Sequence, residues 1–227
     1  MSLEIDGFSI LKKYLNNEKF IHLQSDILNY IKNIDKDKIT PNPKNNFNSL
    51  RREKSTIINK RCKGRDGDEG LLDIWHIDKS LNIESNKILN KLNNDIINLL
   101  NKSFNTNYKF VNNNVYVNKS ITETRGIHAD SNNYPSRVKF FLYLTDINDI
   151  YDGPFSFIKG SHKKIGLKYH RKYNIFEPLN EDDKKNYIIF EPKQNDLLIA
   201  CVSGAHRGMP QKEGRERIVL VGSFDPI

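Results

Sequence analysis

Cysteine is scarce in this chain. Only Cys62 and Cys201 are present, far apart and without a Cys-x-x-Cys or zinc-knuckle spacing. A disulfide scaffold or a structural zinc site therefore has no support. We expect both cysteines to be free, buried thiols.

Long hydrophobic runs are missing as well. No stretch approaches the roughly 20 apolar residues of a membrane-spanning helix. The N-terminal residues MSLEIDGFSILKKY also lack the basic, apolar and small-residue order of a signal peptide. We therefore expect a cytoplasmic protein without a membrane partner, and its 227 residues fit a single domain with room for a sizeable core.

The sequence contains no long block of charge of one sign. Its net charge of +8 comes from 36 basic and 28 acidic residues, which are interspersed. This pattern favours a solvated, mildly basic surface over a nucleic-acid interface, which would show clustered basic residues and an RNA-binding aromatic motif. The excess positive charge also suits a small anionic substrate. The oligomeric state is left open.

The first part of the chain, residues 1–107, is expected to be helical and rich in loops. Residues 8–32 carry a helical pattern, and residues 80–104 repeat apolar side chains at three- and four-residue steps, with Ser80 placed to cap the helix. The polar residues 33–70, which include a glycine-rich segment, predict a loop. Either a lid or an ordinary surface loop would fit that composition.

Residues 108–227 show the two-residue period of β-strands. Many short strands after helices predict a mainly β fold, an antiparallel jelly roll with the N-terminal helices packed on one of its sheets. The predicted strands are at 110–118, 138–147, 155–158, 187–191, 197–202 and 217–224.

Two of these strands have one apolar face and one face of polar and aromatic residues. Tyr116 and Asn118 share such a face in the first strand, and Lys139, Phe141 and Tyr143 share it in the second. These residues are candidates to line a pocket. A solvent-facing sheet would give the same alternation.

The sequence offers three residues of a metal site. His128 and Asp130 are separated by one residue, so on a strand both side chains leave the same face. An isolated His-x-Asp is weak evidence, but His206 follows the apolar segment LLIACV, where a barrel would deliver it to its mouth. Two histidines and one carboxylate are the facial ligand set of non-heme Fe(II). A turn histidine satisfied by hydrogen bonds is the alternative for His206.

An arginine follows at a fixed distance from the distal histidine. Arg217 lies eleven positions after His206 at the start of the strand RIVLVGSF, where a guanidinium group can bind a carboxylate through two hydrogen bonds. Arg207 and Arg215 are close in sequence, and Arg215 would share the strand face of Arg217. The order His-x-Asp, distal His and then Arg is much less common by chance than any one of its parts.

Together these residues resemble the phytanoyl-CoA dioxygenase-like branch of the Fe(II)- and 2-oxoglutarate-dependent oxygenases. The resemblance covers roughly residues 108–225 and is carried by the segments HAD, VKFFLYLTDI, GPFSFIKGSHK, NDLLIACVSGAHRGMP and GRERIVL. Lys159 replaces a proline that is usual in the family's PGSH segment, which should affect a turn rather than the chemistry.

The resemblance implies a double-stranded β-helix, iron ligation by His128, Asp130 and His206, and binding of the 2-oxoglutarate C5-carboxylate by Arg217. Tyr116, Asn118, Lys139 and Phe141 are expected to complete the co-substrate pocket. The implied reaction couples conversion of 2-oxoglutarate to succinate and CO2 with hydroxylation, or another oxidation, of a small and potentially anionic metabolite. Related halogenases lack the carboxylate, so Asp130 favours hydroxylation. The substrate is not identified, because the first 105 residues contain no motif of the family.

Three other functions stay open. A nucleic-acid or protein demethylase or hydroxylase of the same superfamily would suit the basic charge, but the nucleic-acid enzymes place their arginines further from the distal histidine. A non-catalytic jelly-roll binding protein would be expected to have a broken ligand set, and here the set is complete. A cupin-type metalloenzyme would not need Arg217.

The remaining histidines and the tryptophan have plainer interpretations. We expect His162 to fasten a turn, His22 to lie in a helix and His170 to lie in a charged loop. Trp75 is expected in the core, with His76 beside it at the surface, rather than in a substrate pocket.

Overall fold

The computed structural model describes residues 2–42, 50–61, 68–131, 135–164 and 181–227. Short 3-10 turns connect several of the regular elements. The helices and strands, in chain order, are α1 (Leu3–Asp6), β1 (Phe8–Leu11), α2 (Asn17–Lys32), β2 (Ile39–Asn42), β3 (Ile57–Arg61), β4 (Leu72–Trp75), α3 (Ile83–Phe104), β5 (Tyr108–Lys119), β6 (Val138–Tyr143), β7 (Phe155–Ile158), α4 (Glu181–Asn186), β8 (Tyr187–Phe190), β9 (Leu197–Cys201), β10 (His206–Gly208) and β11 (Glu216–Pro226).

The strands form two sheets. The large sheet has the order β1-β9-β6-β11-β5-β4-β3-β2, and the small sheet has the order β10-β7-β8. The C-terminal strand β11 lies inside the large sheet, antiparallel to both β5 and β6. Among the described strands, only β2 and β3 pair in parallel. Distant parts of the chain are thus brought side by side.

The two faces of the large sheet bury different partners. On one face, Val115 of β5 and Phe140 of β6 pack with Leu23 of α2 and Leu89 of α3 in one apolar cluster. On the other face, residues such as Phe141 pack with aromatic side chains of the small sheet, including Phe155, Phe157 and Phe190. The result is a layer of helices on one sheet of a two-sheet β structure. The predicted mainly β jelly roll with helices packed on one sheet is confirmed.

The helix predicted over residues 8–32 is wrong in its first part. Residues Phe8–Leu11 form β1, which pairs with β9, and α2 begins only at Asn17. Asn16 caps α2, because its Oδ1 accepts a hydrogen bond from the Lys19 N–H at 2.9 Å. Residues 8–11 form a strand because they pair with the edge of β9. This pairing depends on tertiary structure, so the local sequence pattern does not predict it.

Two smaller expectations in the N-terminal part are also corrected. Ser80 does not cap the second helix; Asn82 does, accepting the Ser85 N–H at 2.8 Å. The polar region 33–70 is not all loop, since it contributes β2 and β3 to the large sheet. These strands are short and polar, so they carry little periodic signal. Much of the glycine-rich segment, residues 62–67, lies outside the described residues.

Most of the remaining histidines and Trp75 lie where the sequence predicts. His162 binds the Glu4 carbonyl at 3.0 Å in a turn, and His22 lies in α2, whereas His170 lies outside the described residues. Trp75 is buried, but His76 is also buried, with Nε2 at 2.7 Å from the Leu50 carbonyl, so its expected surface position is wrong.

Cys201 is a free and fully buried thiol, and burial raises its pKa to about 12. Cys62 lies outside the described residues. Within the described ranges, no helix combines the length and apolar character that a membrane crossing requires.

Candidate metal centre and co-substrate pocket

His128 and His206 are brought together by backbone pairing. The two residues form a β-bridge in which each backbone N–H donates to the other residue's carbonyl at 2.9 Å. Their ring centroids lie 4.5 Å apart. His206 belongs to β10 of the small sheet, whereas His128 lies in the segment that leads towards β6. A separation of many residues in sequence therefore becomes a contact between two imidazole rings.

Hydrogen bonds orient both imidazole rings in the same way. Nδ1 of His128 lies 2.8 Å from the Gly126 carbonyl, and Nδ1 of His206 lies 2.8 Å from the Gly204 carbonyl. A carbonyl oxygen only accepts hydrogen bonds, so Nδ1 carries the proton in each ring and Nε2 keeps its lone pair. Nε2 of His128 is buried and lacks a hydrogen-bond partner among the described residues. Both rings thus present a metal-binding nitrogen to the same space.

Asp130 completes the cluster. Its backbone N–H donates to the Val202 carbonyl at 2.7 Å, which anchors the residue beside the end of β9. Its carboxylate oxygens lie 3.5 Å from Nε2 of His128 and 4.0 Å from Nε2 of His206. One atom from each of the three residues lies within 4.8 Å of the others. The donor set and the unsatisfied imidazole nitrogen fit a divalent transition metal such as Fe(II).

The surroundings favour the protonation states that a metal requires. Burial lowers the pKa of the His206 imidazole to about 3, and the adjacent His128 ring adds to this shift. Burial and the nearby Arg125 also lower the pKa of His128. Burial opposes ionisation of Asp130, but Lys139 and the histidines hold its pKa well below the usual range. At neutral pH the cluster therefore consists of two neutral imidazoles and one carboxylate.

The cluster lines a pocket between the two sheets. The cavity has a volume of about 630 Å³, including the space at its open mouth. All the residues predicted for the site reach it: the three candidate ligands, Arg217, Tyr116, Asn118, Lys139, Phe141 and Tyr143. The sheet face that alternation left ambiguous is thus a pocket wall rather than a solvent-exposed surface. The other described residues that line it are Arg61, Asp68, Leu71, Arg125, Phe155, Gly208 and Val219.

Lys139 forms an ion pair with the carboxylate of Asp130. Its Nζ donates to Oδ2 of Asp130 at 2.7 Å, and its side chain is only 15% exposed. The contact holds Oδ2, the oxygen that faces His206, whereas Oδ1 faces His128. Lys139 therefore lines the pocket and also forms an ion pair with a candidate metal ligand.

Arg217 is buried in the pocket without an acidic partner. It lies in β11 opposite Asn118, and its guanidinium group forms no hydrogen bond or ion pair with the described residues. Gly208 packs against the guanidinium group, since a Cβ at that position would lie 3.0 Å from Nη2 of Arg217. Burial lowers the pKa of Arg217, but an arginine stays charged at neutral pH. A buried, unpaired cation of this kind is suited to bind a carboxylate.

Arg215 has the opposite surroundings. It lies outside β11 and is partly exposed, with Nη2 at 3.4 Å from Asp149 and Nη1 at 3.3 Å from Asp152. Its charge is already compensated at the surface. The two arginines that shared a predicted strand face are therefore separated by the point at which β11 begins.

Sequence reasoning missed a second charged group in the pocket. Asp68 binds the guanidinium groups of both Arg61 and Arg125. Arg125 stands three residues before His128, so its position in the sequence could have predicted that it lies near the metal cluster. Arg61 and Asp68 flank a glycine-rich segment, and nothing in their local sequence indicates the pocket.

No protein-family model matches this sequence. No curated protein matches it either. Solved structures do match. AviO1 from Streptomyces viridochromogenes Tue57 has 14% sequence identity and a TM-score of 0.65, with 98% of this chain and 90% of that one covered. The α-ketoglutarate-dependent epimerase SnoN of nogalamycin biosynthesis, in complex with Fe3+, α-ketoglutarate and nogalamycin RO, has 9% identity and a TM-score of 0.66, with 98% and 80% covered.

The chain has the fold of the non-heme 2-oxoglutarate-dependent enzymes. HygX from Streptomyces hygroscopicus, with nickel, 2-oxoglutarate and hygromycin B bound, is also similar, with 12% identity, a TM-score of 0.61 and 99% and 84% of the two chains covered. At such identities the likeness establishes the fold, and only the residues of the pocket can indicate an activity.

Proposed function

We propose that this chain is an Fe(II)- and 2-oxoglutarate-dependent dioxygenase that hydroxylates, or otherwise oxidises, a small anionic metabolite and releases succinate and CO2. The observation that carries the proposal is one pocket that holds both a His128–Asp130–His206 cluster and a buried, unpaired Arg217. A metal site alone would suit many enzymes. A separate carboxylate-binding arginine in the same cavity favours a keto diacid as the second ligand.

Each residue has a distinct role in this proposal. His128, Asp130 and His206 would hold iron, which supplies activation of O2 and oxidation of the keto acid when it is bound. Arg217 would bind the distal carboxylate of 2-oxoglutarate and thereby orient its keto acid end towards the cluster. Lys139 would keep Asp130 in place, and the apolar side chains of Phe141, Phe155, Leu71 and Val219 would exclude water from that end of the pocket.

The proposal also covers the branch of the oxygenase family and the type of oxidation. The motifs GPFSFIKGSHK and SGAHRGMP support placement in the phytanoyl-CoA dioxygenase-like branch. Asp130 supports hydroxylation over halogenation, because a halogenating site requires an open position where this carboxylate stands. Two of the similar structures are an α-ketoglutarate-dependent epimerase and an α-ketoglutarate-dependent carbocyclase, so proteins of this fold carry out different reactions with the same co-substrate.

The proposal is tested by turnover of 2-oxoglutarate. Purified protein receives Fe(II), 2-oxoglutarate, ascorbate and O2, and succinate is measured with and without a panel of anionic metabolites. We expect slow iron-dependent succinate formation without substrate and faster formation with the correct metabolite. His206→Ala serves as the inactive control. Succinate formation no faster than in this control, with every metabolite tested, would show that the chain is not such an oxygenase.

A further inference from the structure

The pocket contains two arginines that are held by one buried carboxylate. Oδ2 of Asp68 lies 2.8 Å from Nη1 of Arg61 and 3.1 Å from Nε of Arg125. Oδ1 of Asp68 accepts the backbone N–H of Arg125 at 3.4 Å. Arg61 also has Nη2 at 3.8 Å from Asp73, which lies behind the pocket wall. The carboxylate thus brings two like charges to the same side of the cavity.

Some hydrogen-bond donors of the Arg125 guanidinium group have no partner among the described residues. Its Nε and its backbone N–H are directed to Asp68, whereas its two terminal Nη groups make no hydrogen bond with the described residues. The side chain lines the pocket and is 32% exposed. A guanidinium edge with two free N–H donors matches the two oxygens of a carboxylate or phosphate group.

The net positive charge of the pocket also favours binding of an anion. Among the described residues, four basic side chains line it, Arg61, Arg125, Lys139 and Arg217, together with the two carboxylates of Asp68 and Asp130. The charges of Fe(II) and 2-oxoglutarate cancel each other. When the nearby carboxylate of Asp73 is also counted, the basic side chains still outnumber the carboxylates. An anionic substrate would neutralise this excess positive charge. Buried charges are stable when they are paired, so a neutral substrate would leave this excess uncompensated.

From these contacts we infer that Arg125 and Arg61, positioned by Asp68, form a subsite for an oxyanion group of the substrate, either a carboxylate or a phosphate. The inference rests on the proposed function and adds to it the chemical class of the substrate and the residues that select it. Arg125 contributes the free guanidinium edge, and Arg61 contributes a second charge at the same carboxylate. The inference assigns Arg125 and Arg61 to the substrate and leaves Arg217 for the co-substrate.

The subsite is tested by anion binding to the protein loaded with Ni(II) and 2-oxoglutarate, in which Arg217 is occupied. Methylphosphonate and acetate serve as probes of the two oxyanions, with chloride at equal ionic strength as the reference, and binding is measured by calorimetry. We expect at least one probe to bind the wild type and to lose tenfold or more in affinity in Arg125→Gln, since hydrogen bonds to a charged group are lost. Arg215→Gln is the matched control and should change affinity less than twofold.

Two further measurements keep the test decisive. Arg125→Lys retains the charge but not the planar edge, so a folded Arg125→Lys protein should also bind the probe more weakly than the wild type. Affinity for 2-oxoglutarate is measured in every variant and should change less than threefold in Arg125→Gln. A loss of 2-oxoglutarate affinity as large as that in Arg217→Ala would assign Arg125 to the co-substrate site and overturn the inference.

The remaining outcomes separate the subsite from the proposed function. Equal probe affinity in wild type and Arg125→Gln would overturn the subsite while leaving 2-oxoglutarate binding, and with it the proposed function, intact. Failure of the wild type to bind 2-oxoglutarate would overturn the proposed function. In that case, the probes are titrated into metal-free Arg217→Ala protein, where binding that depends on Arg125 would still support an oxyanion site.

Discussion

At the scale of single residues, two arginines close in sequence have different roles because of where β11 begins. Arg217 is buried in the pocket and unpaired, whereas Arg215 is compensated by two aspartates at the surface. Exposed ion pairs contribute little to stability or binding, but a buried cation without a partner has a strong preference for an anion. The two side chains are therefore a natural pair for comparison.

Arg217→Ala is expected to weaken 2-oxoglutarate binding by roughly thirtyfold or more, because a buried charge-assisted contact worth about 2 to 5 kcal/mol is removed. Iron binding should survive, since no candidate ligand changes. Arg215→Ala should alter the affinity by less than about twofold. Both affinities follow from anaerobic titration of 2-oxoglutarate into the Fe(II)-loaded variants, monitored through the visible band of the chelate. A large loss in Arg215→Ala alone would mean that the wrong arginine has been chosen.

At the scale of elements, the N-terminal strands bring acidic groups to the pocket wall. β4 pairs with β5 and places Asp73 opposite Tyr116, and the Asn114 side chain donates to Asp73 at 3.3 Å. Asp73 is fully enclosed, and this burial raises its pKa to about 6, although Arg61 and Lys139 favour the ionised form. The part of the chain without family motifs therefore contributes directly to the electrostatics of the site.

Asp73→Asn is expected to change the pH dependence of stability. A carboxyl group whose pKa is raised in the folded state binds its proton more tightly there, so the contribution of Asp73 to wild-type stability falls as pH rises from about 4 through about 6. At ~1.4 kcal/mol per pKa unit, the free energy of unfolding of the variant relative to wild type should increase by about 2 to 3 kcal/mol between pH 4 and pH 8. Urea unfolding at several pH values measures this difference.

Asp95→Asn provides the control for this experiment, because Asp95 lies on α3 with a side chain that is 41% exposed. The comparison separates the effect of a buried carboxyl group from the effect of removing an aspartate at the surface. If the Asp73→Asn difference did not change with pH, the burial of Asp73 would not control its ionisation, and the charge count of the pocket would need revision.

At the scale of the whole molecule, the candidate site joins the two sheets. His206 belongs to the small sheet and Arg217 to the large sheet, and Gly208 of the small sheet packs against the Arg217 guanidinium. A metal held by His206 and a diacid held by Arg217 would connect the sheets through a chain of direct bonds. Ligand binding should therefore stabilise the whole fold and not only the loops around the pocket.

Fe(II) and 2-oxoglutarate together are expected to raise the melting temperature by more than the sum of their separate effects, because each ligand completes the binding site of the other. Anaerobic thermal unfolding with each ligand and with both measures this coupling. In Arg217→Ala the shift from iron alone should be retained and the coupling reduced, whereas His206→Ala should lose both. Additive shifts in the wild type would argue for a metal site unrelated to 2-oxoglutarate.

Much of the β half was predictable from the sequence. Strands such as β5, β6 and β9 alternate or run apolar over enough residues for local periodicity to identify them. The N-terminal strands were not predictable in this way. β1 exists because the edge of β9 is available to pair with it, and β2 and β3 are short polar segments whose stability comes from their neighbours.

The sequence by itself determined the chemical inventory of this protein: a His-x-Asp pair, a distal histidine and an arginine in a fixed order on a β framework. Only the tertiary structure decided that these side chains reach one cavity, that Arg217 rather than Arg215 is buried, and that Asp68 holds Arg61 beside Arg125. The physical reason is that spacing along a strand specifies which face a side chain leaves, whereas burial and charge pairing depend on residues that are distant in sequence and meet only when the sheets pack.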